Sequence, residues 1–103
     1  MAFNKSHLFD PADQMTSSFA KALSHPVRLD IIRILATHGT CSVHNLFRRY
    51  PLSKSTISQH LEMLRVTGLI KYKEEYPHVF YSLEPSNFKK YIAMLLEYCQ
   101  KIK

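Results

Sequence analysis

Apolar residues recur every three or four positions along four successive segments, which predicts four amphipathic helices. The first begins at Asp10-Pro11, where aspartate can cap the helix and proline can occupy its first position. The second begins at Ser24-His25-Pro26, because a proline does not continue an unbroken helix. A short third helix is expected after the candidate cap Ser42, and a fourth is expected over residues 51–69.

The period of the apolar positions changes from 3.6 to 2 after the fourth helix. Residues 69–73 and 79–83 are therefore predicted strands, joined by a turn over residues 74–78. Residues 40–41 are predicted to form a short extended piece. A last helix follows Pro85-Ser86 and carries apolar residues along one side.

This order of elements predicts a mainly α fold with a small β-hairpin. Two short helices joined by a tight turn over residues 50–53 are typical of a helix-turn-helix, and a hairpin after them is the wing of a winged helix. We therefore expect residues 1–103 to form a single winged helix-turn-helix domain, with five helices and a two- to three-stranded wing.

The fourth predicted helix has two faces of different chemistry. Ser53 can cap its start and Gly68 can end it, since glycine adopts the left-handed conformation without steric cost. Ile57, Leu61 and Leu64 form an apolar stripe that we expect to be buried. The polar arc consists of Lys54, Ser55, Ser58, Gln59, Glu62 and Arg65. Such side chains suit the reading of base edges and phosphates in a major groove, although an ordinary solvated helix face has the same periodicity.

The chain is basic, and its basic residues are unevenly placed. Its 103 residues include 14 Lys+Arg and 8 Asp+Glu, a formal charge of +6, which favours a polyanionic partner such as nucleic acid or an anionic membrane surface. Residues 48–73 contain six basic residues and a single acid, Glu62. Two cysteines fit a reducing compartment, and no apolar run reaches signal-peptide or membrane-spanning length. We expect a cytoplasmic protein with no membrane partner.

Residues 22–83 resemble the ArsR/SmtB group of bacterial repressors. The segment A-L-S-H-P-V-R-L-D-I-I looks like the opening motif of that family, and L-S-K-S-T-I-S-Q-H-L is similar to its recognition helix. The resemblance implies a sequence-specific DNA-binding transcriptional regulator, a homodimeric repressor released from double-stranded operator DNA by a signal that the sequence does not name. Together with the polar arc, it predicts DNA contacts from Lys54, Ser55, Thr56, Ser58, Gln59, Arg65, Lys71, Lys73 and His78.

The resemblance also implies that the first and last helices, residues 10–24 and 86–102, form the dimer interface. The last helix carries an apolar stripe that one small domain has little core left to cover. The expected interface residues are Met15, Phe19, Leu23, Phe88, Ile92, Leu95, Cys99 and Ile102. Tyr91 and Tyr98 are expected to pack in this interface, with an effector pocket as the alternative.

The candidate metal ligands depart from the patterns of metal-sensing relatives. Those relatives carry Cys-x-Cys where this chain has Ser42-Val43-His44, and others place Asp and His along the last helix, whereas residues 86–103 contain neither. We expect neither metal site, and we predict no cofactor. His38, Cys41 and His44 form a weaker candidate, since imidazole and thiolate bind zinc or copper.

His60 and Cys99 can each be interpreted either as a packing residue or as a functional one. His60 lies beside the buried stripe and is expected to be packed and hydrogen-bonded rather than a metal ligand. Cys99 is expected to be a small apolar interface residue rather than a redox partner of Cys41, because a redox switch needs an accessible thiolate and a nearby thiol.

No arrangement typical of an enzyme is present. Two glycines cannot build a phosphate-binding loop, and no catalytic triad or carboxylate pair is indicated. Two other functions stay open: a winged-helix module that binds protein without operator DNA, and RNA or non-specific nucleic-acid binding. Tyr76-Pro77 at the wing tip, where relatives usually have glycine and arginine, fits the first of these.

Overall fold

The computed structural model describes residues 8–102, which form five helices and three strands. Residues 1–7 and residue 103 lie outside this range. In chain order the elements are α1 (Pro11–Ala22), α2 (Pro26–His38), β1 (Thr40–Ser42), α3 (Val43–Arg49), α4 (Lys54–Val66), β2 (Ile70–Glu75), β3 (His78–Leu83) and α5 (Pro85–Lys101). No helix in the described range is long and apolar enough to cross a membrane.

Side chains cap the first four helices, as their sequences predict for three of them. Asp10 Oδ1 accepts from the Ala12 amide at 2.7 Å, which begins α1. Ser42 and Ser53 accept in the same way at the starts of α3 and α4. The cap of α2 is His25, whose Nδ1 accepts from the next-but-one amide at 3.1 Å. The chain leaves α4 through Gly68, which has the predicted left-handed φ of 82°.

The wing is a three-stranded antiparallel sheet in the order β1-β3-β2. The predicted extended piece is β1, which pairs Thr40 to Ser42 with the second half of β3. The expected five-residue turn is wrong, because Glu75 pairs with His78 and only Tyr76-Pro77 connects the strands, through a cis peptide bond. The alternation of apolar and polar residues in β2 stops at Lys73, and the exposed Glu74 and Glu75 continue the strand without it, so the pattern does not mark where the strand ends.

The core draws on every described helix except α5 and on the start of the wing. Its fully buried members are Phe19, Ala22, Ile31, Leu35, Leu46, Ile57, Leu61, Leu64, Leu69 and Ile70. Helix α5 covers this core with half-buried side chains. Its Tyr91 ring stacks on Phe19 at 5.1 Å between centroids, and its hydroxyl donates to the Thr67 carbonyl at 2.9 Å. This packing joins α1 and α5 to the end of α4.

The apolar stripe of α5 therefore divides between contacts within the chain and exposed positions, while the expected dimer interface stays a prediction. Phe19 is only 3 % exposed, and Phe88 and Leu95 pack against the core of their own chain. Ile92 and Ile102 are exposed instead. Residues of α5 pack against the core more than the sequence indicates, because α1 lies against α5 and brings Phe19 to it.

A charged cluster joins α2 to the end of α3. Arg49 Nε donates to Asp30 Oδ2 at 2.8 Å, and the Tyr50 hydroxyl donates to the same oxygen at 2.6 Å. These hydrogen bonds hold the pKa of the Asp30 carboxyl below its ordinary value, the larger effect coming from Arg49. Burial and the Asp30 charge raise the pKa of Tyr50. The cluster links α2 to the end of α3 and to the residue that follows it.

Two histidines meet where the start of α2 contacts α4. The rings of His25 and His60 are 4.3 Å apart between centroids. Burial lowers the pKa of His60, and the nearby His25 and Arg28 lower it further. The prediction that His60 is packed is confirmed. Within residues 8–102 it makes no hydrogen bond, so that part of the prediction is wrong.

The His60 environment predicts a loss of stability in mild acid. A histidine whose folded pKa is lowered stabilises the fold above its unfolded pKa, and that contribution is lost as the pH falls from about 6.5 through the folded pKa. The free energy of unfolding, measured in urea between about pH 7.5 and pH 5, should decrease, and His60→Gln should reduce this decrease. An equal decrease in the variant would show that His60 does not cause it.

Candidate nucleic-acid interface

Helix α4 presents the polar face that its sequence predicts. Ile57, Leu61 and Leu64 are 0–2 % exposed, so the rotation of the helix about its axis is set by the core. The side chains of Ser55, Ser58, Gln59 and the flanking charged residues of the polar arc are exposed. The N-terminal half of this face carries short hydrogen-bonding side chains on a rigid element, an arrangement that fits the width of a DNA major groove.

The hydroxyls at the start of α4 are not equally available. Ser53 Oγ lies 2.8 Å from Thr56 Oγ1 and 3.3 Å from Ser55 Oγ, so the cap engages both residues. Thr56 is half-buried and its hydroxyl bonds to the Ser53 cap, so its side chain is less available to DNA than the exposed hydroxyls. Ser58 and Gln59 form no hydrogen bond within residues 8–102, so their side chains are free to bond to base edges.

Lys54 is the cation best placed to meet a phosphate. It occupies the first turn of α4, and its Nζ lies 5.7 Å from the centroid of the Phe47 ring. No carboxylate in the described part of the chain pairs with it. Its charge therefore adds to the positive end of the helix dipole on the exposed face.

The other three cations expected to contact DNA are paired with carboxylates. Arg65 bonds to Glu62 through two nitrogens, while Lys71 lies 3.0 Å from Glu84. Lys73 lies 3.3 Å from Glu75. Exposed pairs of this kind contribute about 0–1 kcal/mol, so a phosphate can compete for Lys71 and Lys73, which each make a single contact. The predicted residues are on the surface, but their charge is largely compensated in the free protein.

The wing tip has little positive charge of its own. Tyr76 is 98 % exposed at the turn, and the adjoining end of β2 carries Glu74 and Glu75 against a single cation, Lys73. His78 is exposed at the start of β3, with its ring 6.0 Å from that of Phe80. An anionic minor groove favours cations, and this tip offers an aromatic ring instead.

The candidate metal ligands do not all converge. His38 and Cys41 line an open cleft of about 440 Å³, whereas His44 is exposed and lies outside the lining. No three His, Cys, Asp or Glu side chains of residues 8–102 come together as a metal site. Burial raises the pKa of the Cys41 thiol, which disfavours the thiolate that a metal or an oxidant requires.

A second set of exposed side chains, on and around α1 and α5, is apolar, and we call it the α1–α5 outer face. It comprises Leu8 and Phe9 before α1, and Ile92, Leu96, Tyr98 and Ile102 in or after α5. These side chains are 44–63 % exposed. Cys99 is exposed beside them, while Met15 and Leu23 are half-buried. Leu96 was missed by the sequence analysis, although its spacing of four from Ile92 and three from Cys99 is the helical signal for one face.

Comparisons with known proteins agree with this geometry. The family model described as "Bacterial regulatory protein, arsR family" matches residues 25–72. Transcriptional activator HlyU of Vibrio cholerae serotype O1 is 40 % identical over 81 residues, covering 78 % of this chain and 74 % of the relative. HTH-type transcriptional regulator YgaV of Escherichia coli (strain K12) is 34 % identical over 87 residues, covering 84 % of this chain and 88 % of the relative.

Solved structures show the same fold. HlyU from Vibrio cholerae superposes with a TM-score of 0.68 at 30 % identity and covers 88 % of this chain and 99 % of that one. The transcriptional repressor BigR from Xylella fastidiosa gives a TM-score of 0.64 at 28 % identity, and the match covers 94 % of this chain and 98 % of that one. The winged helix, its exposed recognition helix and these matches together place the chain in the ArsR family of DNA-binding transcriptional regulators.

Proposed function

We propose that this chain is a homodimeric repressor that recognises a palindromic operator through α4. The observation that carries the proposal is the exposed pair Ser58 and Gln59, which no partner in the described chain engages. Such side chains on a groove-sized helix read base edges, and Lys54 beside them provides phosphate affinity. A protein that acts on chromosomal DNA works in the cytoplasm of a bacterium, which is the location we infer.

Repression is the mode that we favour for a regulator of this size. Relatives are named both as an activator and as repressors, among them a biofilm growth-associated repressor 30 % identical over 88 residues. A dimer bound across a promoter excludes polymerase by its volume alone, whereas activation needs a further contact with polymerase. Transcription in vitro from a promoter containing the operator should therefore decrease when the protein is added, and an increase would contradict repression.

The α1–α5 outer face supports dimer formation. Large apolar side chains that one chain leaves exposed together are typical of an interface between protein surfaces. The occupant that we propose is a second copy of the same face, because a two-fold axis makes such an interface self-complementary. Dimerisation also places two α4 helices at a fixed separation, as a palindromic operator requires.

The dimer can be tested at Leu96, which is 57 % exposed, rather than at Leu95, which packs against the core. Leu96→Glu should convert a dimer into a folded monomer in light scattering, because a buried, unpaired carboxylate is costly. Leu29→Glu, at a 43 % exposed apolar position of α2, is the matched control and should remain dimeric. A wild-type chain that is monomeric at micromolar concentration would contradict the proposal.

The reading face can be tested by substitution and DNA binding. Gln59→Ala or Ser58→Ala should relax the sequence preference and cost about 1–3 kcal/mol each where the bond is made to a base. Lys54→Ala should weaken binding to all sequences alike and reduce the salt slope by about one. Gel shifts on the promoter region of the gene, over a range of salt concentrations, measure both effects.

These outcomes also separate the competing functions. Wild-type affinity and preference in both the Ser58 and Gln59 variants would show that another face reads the DNA. Binding without sequence preference would favour a non-specific nucleic-acid role. A complete absence of binding would favour the protein-interaction module, for which the exposed Tyr76 wing tip is the supporting observation.

We infer that zinc is not the signal that releases the operator. A zinc site needs three or four converging donors, and the described residues bring only His38 and Cys41 to one cleft. Zinc at low micromolar concentration should change operator affinity by less than about threefold, below the roughly fivefold minimum typical of allosteric coupling. Stoichiometric zinc binding that releases DNA, and that is lost in Cys41→Ser, would contradict this inference. If peroxide releases DNA and Cys41→Ser abolishes the release, the sensor is a thiol instead.

A further inference from the structure

Glu62 occupies a fourth position on the reading face of α4. Ser55, Ser58, Gln59 and Glu62 follow the spacing i, i+3, i+4, i+7, and all four are exposed. Seven residues rotate by about 700° along a helix, only about 20° short of two turns, so Glu62 lies on the same line as Ser55 about 10.5 Å further along. This spacing is the one with which DNA-reading helices present side chains to successive base pairs.

Arg65 holds the Glu62 carboxylate in a defined orientation. Its Nε lies 2.5 Å from Oε1 and its Nη2 lies 3.1 Å from Oε2, a two-point contact between neighbouring turns of the helix. This contact lowers the pKa of Glu62, so the group is ionised near neutral pH. Each carboxylate oxygen has a further lone pair available, so the pair can accept another hydrogen bond without separating.

The chemistry of an ionised carboxylate restricts the base that it can face. It only accepts hydrogen bonds, so the acceptors of guanine and thymine in the major groove repel it. Adenine offers an amine at N6, but its N7 acceptor lies beside that amine and faces the second oxygen. Cytosine offers the N4 amine with an acceptor on one side only, the O6 of its paired guanine, whereas the adenine N6 amine has an acceptor on both sides; cytosine is therefore the base that fits.

We propose that Glu62, oriented by Arg65, is a specificity-determining residue that accepts a hydrogen bond from N4 of one cytosine in each half-site. The inference rests on the proposed function, in which α4 reads the operator. A purely structural ion pair would stabilise the helix without affecting base preference. Base preference at single positions is therefore the readout that separates the two roles.

The experiment selects operator half-sites from random DNA with the wild-type protein, and then measures binding to all four base pairs at each position. At a position next to those read by Ser58 and Gln59, wild-type protein should prefer cytosine by roughly 5- to 150-fold. Glu62→Gln should transfer this preference to adenine, because an amide both donates and accepts and so matches N6 and N7. Arg65→Ala should weaken the cytosine preference at that position alone.

Glu97→Gln is the matched control, because it removes the same charge from an exposed residue of α5 that pairs with Lys101. It should retain the wild-type profile at every position. A Glu62→Gln profile identical to wild type, with tighter binding to all sequences, would overturn the inference and leave only an effect of charge. Wild-type protein that binds all sequences alike would overturn the proposed function and this inference together.

Discussion

The complete burial of Ile57, Leu61 and Leu64 is the constraint on which the exposed polar face of α4 depends. A fully buried aliphatic side chain contributes about 1.5–3 kcal/mol, whereas an exposed ion pair contributes about 0–1 kcal/mol. The core therefore determines how α4 is rotated, and the charged residues follow. Because the helical repeat is rigid, the same constraint turns Ser58 and Gln59 outward and keeps His60 against His25.

The paired cations change how the net charge of the chain relates to DNA affinity. A formal charge of +6 favours a polyanion, but Lys71 and Lys73 already contact carboxylates in the free protein. To bind a phosphate, each of these lysines must first leave its carboxylate. Each therefore adds less to the DNA affinity than the unpaired Lys54. The net charge of the chain therefore overstates what its wing cations would add to DNA affinity.

The sequence predicts those features that depend on neighbouring residues. The caps Asp10, Ser42 and Ser53 and both faces of α4 could be predicted because a cap and a helical repeat are local patterns. The compensation of Lys71 by Glu84 could not, since the partners are joined only by the pairing of β2 with β3. The sequence also could not predict which apolar residues of α5 are covered and which are exposed, because this depends on where Phe19 of α1 lies.

Helix α5 links the two surfaces that a dimeric regulator would need. Its inner side reaches the end of α4 through two hydrogen bonds, from the Tyr91 hydroxyl to the Thr67 carbonyl at 2.9 Å and from Asn87 Nδ2 to the Gly68 carbonyl at 2.7 Å. Its outer side carries the exposed Ile92 and Leu96. A helix with apolar residues on both sides is most stable when both sides are removed from water. The core of the chain covers one side of α5 and leaves the other exposed. A partner on the other side would contact the same helix that bonds to the end of α4, so the two surfaces are joined through α5 itself.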